Sequence, residues 1–74
     1  MTDEDVLHRI RSLLDEEQAM REAHEVDPVR LEHLEETLDQ CWDLLRQRRA
    51  LREFGQDASL AKSRNVETVE DYLQ

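Results

Sequence analysis

Apolar residues in the first two thirds of this chain fall at helical spacing. Val6, Leu7, Ile10, Leu13 and Leu14 share one face, and Met20 continues the same line among the polar Glu17, Arg21 and His24. Ahead of this stripe, Thr2 and Asp5 have the spacing of a capping box, with Asp3 and Glu4 suited to the positive end of a helix. A second stripe runs Leu31, Leu34, Leu38, Cys41, Trp42 and Leu45, and Arg49 and Arg52 extend it. Leu44 and Leu51 form a flanking face that one partner helix leaves wet. Between the stripes stands Asp27-Pro28. Asp caps a helix with its side-chain oxygen, Pro fits the first turn, and the residue before Pro is pushed out of helical geometry. The pattern predicts helices over 3–25 and 28–54, joined by a turn at Val26-Asp27, with Gly55 as the stop.

Two such helices fold most simply into an antiparallel hairpin, in which positions summing to about 55 face one another. Ile10 then meets Leu45, Leu14 meets Cys41 and Trp42, Asp3 comes near Arg52, and Val6 near Arg49. The fold class is all-α, a two-helix hairpin over residues 1–55 with a tail over 56–74, partly helical or extended. In the tail, Gln56-Asp57-Ala58-Ser59 is a polar linker, and Asn65 caps a short turn carrying Val66, Val69, Tyr72 and Leu73. So short a helix is unstable alone, so the tail is expected to dock on the hairpin or on a neighbouring subunit, covering apolar surface such as Leu44 and Leu51, with Lys62 and Arg64 beside hairpin acids; the competing expectation is a disordered tail offered to another protein as a recognition peptide.

A chain of 74 residues is one domain at most. A core of this size supplies no more than roughly 3–5 kcal/mol. Wide apolar stripes on so short a chain predict a homodimer packed as a four-helix bundle, or a higher homo-oligomer, with Leu38, Trp42, Leu45, Leu44 and Leu51 in the core or oligomer seam.

Charge changes the picture further. Charged residues make up 39% of the chain and the net charge is −9, but residues 46–54 carry Arg46, Arg48, Arg49 and Arg52 against Glu53 alone. The overall sign argues against nucleic acid as a partner, because most of the surface would repel phosphate. The Arg cluster is a candidate contact for an anion or acidic partner; it also suits the negative end of its own helix and the acids of the first helix. No apolar run approaches membrane-spanning length, the acidic start lacks signal-peptide order, and one cysteine allows no internal disulfide. A cytoplasmic setting is expected.

Candidate chemistry is sparse. Glu17 and His24 lie seven residues apart on one face, where a dimer would gather two carboxylate–imidazole pairs able to hold a metal; the simpler reading pairs Glu17 with Arg21. His8 and His33 point away from both stripes. Cys41, beside Trp42, reads as a small buried hydrophobe, with a reactive thiol as the alternative. Leu38-Asp39, Asp43-Leu44-Leu45 and Arg48 are similar to a helical pattern in chorismate mutases. Those enzymes need three substantial helices and an inward set of Arg, Lys and Glu or Gln, and the one Lys here, Lys62, is in the tail.

The segment Leu38-Asp39-Gln40-Cys41-Trp42-Asp43-Leu44-Leu45-Arg46-Gln47-Arg48-Arg49-Ala50, the start Asp3-Glu4-Asp5 and the ending Val69-Glu70-Asp71-Tyr72-Leu73-Gln74 resemble a short acidic actinobacterial family, the domain of unknown function 2630. The resemblance spans nearly the whole chain. It implies a bacterial cytoplasmic protein of this size and supplies no activity or site residue. The expectation is therefore a non-enzymatic, self-associating protein-interaction module without cofactor. The alternative is a metal- or anion-binding bundle with its site at the oligomer interface.

Overall fold

The computed structural model describes the backbone of residues 1–73 and the side chains of residues 1–70. Helix α1 spans Asp3–Glu22, α2 spans Pro28–Glu53 and α3 spans Val66–Leu73, with a 3₁₀ turn at Ala58–Leu60 before α3. Among the described residues there is no strand, and no helix is long and apolar enough to cross a membrane. Helices α1 and α2 pack as the antiparallel hairpin that the two stripes predict.

Each boundary has a local cause. The capping box opens α1: the Asp5 amide donates to Thr2 Oγ1 at 3.2 Å, and the Thr2 amide donates to Asp5 Oδ2 at 2.8 Å. The helix closes three residues earlier than its stripe suggests. His24 adopts φ 56°, its amide donates to the Arg21 carbonyl, and the Glu25 amide reaches back to Met20. This left-handed cap satisfies the last carbonyls of α1. The connection is thus Ala23 to Asp27, longer than a turn at Val26-Asp27 alone. Asp27 Oδ1 then accepts from the Val29 amide at 3.0 Å, with Pro28 as the first helical residue. Gly55, at φ 73°, ends α2 by the same device that His24 provides for α1.

Helix α2 is the centre of the molecule. One side of it, Leu38, Cys41 and Leu45, packs with Val6 and Ile10 of α1, and Leu13 and Leu44 close the edges. The opposite side holds the tail. Gln40 Nε2 donates to the Arg64 carbonyl at 3.1 Å, and Gln47 Nε2 donates to the Lys62 carbonyl at 2.8 Å. Asn65 caps α3 by accepting from the Thr68 amide at 2.8 Å, and Val69 is fully buried. Gln40, Asp43 and Gln47 recur at helical spacing, turned away from Leu38 and Leu45. The result is a slab with extents of 46 × 25 × 15 Å, in which α1, α2 and the tail lie side by side. Side chains of Tyr72 and Leu73, assigned to the tail's apolar face by their spacing, lie outside the described residues.

Candidate interaction surface

The four arginines of α2 separate according to helical direction. Arg48 and Arg52, one turn apart, turn toward α1 and meet Asp3. Arg48 Nε donates to Asp3 Oδ1 at 2.7 Å, and Arg52 donates to both carboxylate oxygens at 2.8 and 2.5 Å. Arg48 is only 7% exposed and also donates to the Ala58 carbonyl at 3.3 Å. Hydrogen bonds from Arg52 and then Arg48 pull the Asp3 carboxyl down to about 2. These two cations are occupied in fixing the hairpin and the linker. Arg46 and Arg49 point elsewhere, are exposed, and have no hydrogen bond or ion pair among the described residues. With Trp42 and Leu45 they line an open cleft of about 210 Å³.

Trp42 lies outside the hairpin core. Placed beside Cys41 on the inward stripe, it is 44% exposed, and Leu7 and Leu14 of the α1 stripe are exposed to a similar degree. The contact between two helices is narrower than the apolar stripes. Val6 and Ile10 against Leu38, Cys41 and Leu45 use it up. The three larger side chains remain on one broad side of the slab. The other broad side is marked by a cleft that Arg9 of α1 shares with Thr37 and Leu44 of α2. Leu7 and Leu14 lie across α1 from Arg9, and Trp42 lies across α2 from Leu44, at about 100° per residue. Leu44 itself is half-buried against the core, and Leu51 is half-buried beside Phe54 and Leu60.

Two charged features escaped the local pattern. Asp43 is 1% exposed and receives Arg64 in a two-point contact, Nε to Oδ2 at 2.9 Å and Nη2 to Oδ1, while Gln47 Nε2 donates to Oδ2 at 2.9 Å. The Arg64 hydrogen bonds hold the Asp43 carboxyl below the ordinary carboxylate range against the opposing effect of burial. The sequence set Arg64 beside hairpin acids without singling out Asp43, which looks like any other exposed acid of α2. The second feature is a cleft between α2 and α3 lined by Glu32, Glu35, Glu36, Asp39 and Glu70. There the hydrogen bond to Asp39, then burial, then the charges of Asp39 and Glu36 raise the proton affinity of Glu70.

Glu17 pairs with Arg21 at 3.3 Å, and His24 lies beyond the end of α1 as its left-handed cap. No group of three His, Cys, Asp or Glu side chains able to hold a metal occurs among the described residues. Cys41 is buried in the core.

Comparison with known proteins places this arrangement. The model of a family described as a protein of unknown function, DUF2630, matches residues 2–74. The chain belongs to the DUF2630 family. The DUF2630 chain is 44% identical to uncharacterised proteins of Mycobacterium bovis and Mycobacterium tuberculosis, over 96% of its own length and 90% of theirs. No solved structure matches it.

Proposed function

We propose that this protein is a non-enzymatic helical interaction module that associates with itself, in the cytoplasm. The observation that carries this reading is the open broad side, where Trp42, Leu7 and Leu14 remain half-exposed although the stripes they belong to are apolar. Large apolar side chains grouped on one side of a small, highly charged protein are characteristic of an interaction site. The buried polar groups support the non-enzymatic part. Asp43 is engaged by Arg64 and Gln47, and Arg48 by Asp3 and Ala58, so both buried charges join structural elements. Sedimentation velocity from about 1 to 200 μM should show an assembly larger than the 8.8 kDa chain. A folded monomer throughout that range would refute the reading.

One observation favours the anion-binding alternative: Arg46 and Arg49 flank the exposed ring of Trp42, and guanidinium groups are suited to anions. Titration with inorganic phosphate, followed by calorimetry, separates the two readings. Binding tighter than about 1 mM, abolished in Arg46→Ala/Arg49→Ala, would favour the anion site.

A further inference from the structure

Glu35, Trp42 and Arg49 follow one another at intervals of seven residues. Seven residues are nearly two helical turns, so the three lie in one line along the exposed side of α2. The line has opposite charges at equal distances from its central Trp42. The clefts on this side repeat the arrangement at larger scale. Toward the start of α2 the walls are acidic, with Glu35, Asp39 and Glu70 among them. Toward its end the cleft beside Trp42 is basic, with Arg46 and Arg49 unpaired among the described residues. Among the described residues, neither Glu35 at one end nor Arg46 and Arg49 at the other forms an ion pair.

We propose that two copies of the chain pair antiparallel through this side, about a two-fold axis at Trp42, with Arg46 and Arg49 of each copy set into the acidic cleft of the other. This rests on the self-association reading and specifies its surface, partner and register. Reversal about Trp42 exchanges position 49 with position 35, so each copy's Arg49 meets Glu35 of the other. The same operation brings Arg46 to within one residue of Asp39. Both contacts occur twice, as an isologous interface demands. Helix α1 follows the same axis. Leu14 lies level with Cys41 and Trp42 in the hairpin register and on the same broad side, so its copy packs against it as the Trp42 rings meet. A slab with extents of 46 × 25 × 15 Å has a broad side that can supply the roughly 800 Å² per partner of a stable interface. The apolar centre excludes water and the charged ends fix direction, because a parallel arrangement would set acid on acid and arginine on arginine.

Charge reversal tests the register. Sedimentation velocity is measured on the wild type, Arg49→Glu, Glu35→Arg and the double variant, with circular dichroism confirming equal helix content. Both sites are exposed, so folding should survive. Each single variant sets like charges together twice and should weaken association at least about tenfold; the double variant should return to within about threefold of the wild type. Emission from Trp42, the one tryptophan, gives an independent readout: it should shift to the blue as the wild type associates. Assembly that is insensitive to both reversals, or a double variant no better than the singles, overturns this surface while leaving self-association standing. A wild type that stays monomeric overturns both.

Discussion

Arg64→Ala should be among the most damaging single changes to this protein. The substitution leaves the Asp43 carboxylate, 1% exposed, with the Gln47 amide as its remaining side-chain partner. Breaking a buried ion pair by removing one member costs about 3–5 kcal/mol, because the other charge stays desolvated. Arg64 is itself 28% exposed, so water can enter the vacated space and the expected loss is lower, about 2–3 kcal/mol. A core of this size supplies roughly 3–5 kcal/mol, so the loss is a large fraction of it. Urea unfolding followed by circular dichroism reads this directly. With a slope near 1 kcal/mol per molar urea, the midpoint should fall by about 2–3 M. Protein concentration must be held fixed, since association adds to apparent stability.

Two comparisons isolate the cause. Arg52→Ala removes an equally well-formed pair with Asp3, but at the surface, and should cost less than Arg64→Ala. Asp43→Leu combined with Arg64→Met replaces the pair by apolar groups and should recover most of the loss, because no buried charge is then stranded. If Arg64→Ala costs under about 0.5 kcal/mol, Asp43 is not a desolvated carboxylate that depends on the tail, and the account of tail docking fails.

Two further results are expected. His24→Gly should be neutral or stabilising by up to about 1 kcal/mol, since glycine adopts the left-handed cap freely, whereas His24→Val should destabilise; paired urea curves decide. Docking of α3, read as amide protection at Thr68 and Val69 in dilute chain, should pass through a maximum in mildly acidic solution. Glu70 binds its proton more tightly when folded, so its contribution is full below pH 4.5 and is lost as pH rises through its raised value. Asp43 titrates low when folded, so its contribution is full above pH 3.8 and is lost as pH falls through its lowered value. Protection that rises steadily to pH 7 would refute the acidic strain at Glu70, and Glu70→Gln should flatten the neutral arm.

The hairpin was legible because its signals are local. Asp27-Pro28 and Thr2 with Asp5 carry cap chemistry within a few residues, and the register that sums to about 55 already set Asp3 beside Arg52. The early end of α1 was not legible, because the left-handed position is filled by His24 where glycine is the usual sign. The two-sided burial of α2 was hidden for a different reason. Asp43 and Gln47 look like solvent-facing residues until Arg64 and the Lys62 carbonyl are brought to them from across the chain. Apolar periodicity finds one face of a helix; it has no means of marking a second face made of polar groups that satisfy one another. Placing Trp42 on the stripe of Cys41 and Leu45 therefore set it opposite Leu14, although the contact with α1 has no room for it.

The charges of α2 are arranged by side, and the sides differ in what answers them. Toward α1, Arg48 and Arg52 are answered by Asp3. Toward the tail, Asp43 is answered by Arg64. On the broad side through Trp42, the acids and the arginines lie along the same stiff helix, and Glu35 is separated from Arg49 by fourteen residues, about 21 Å of helical rise. No rotamer change brings such groups together, and the tail is already committed to another side of α2. In the proposed pairing, a partner that presents the opposite order of charges at the same spacing would answer both ends at once. The same helix, reversed, presents that order.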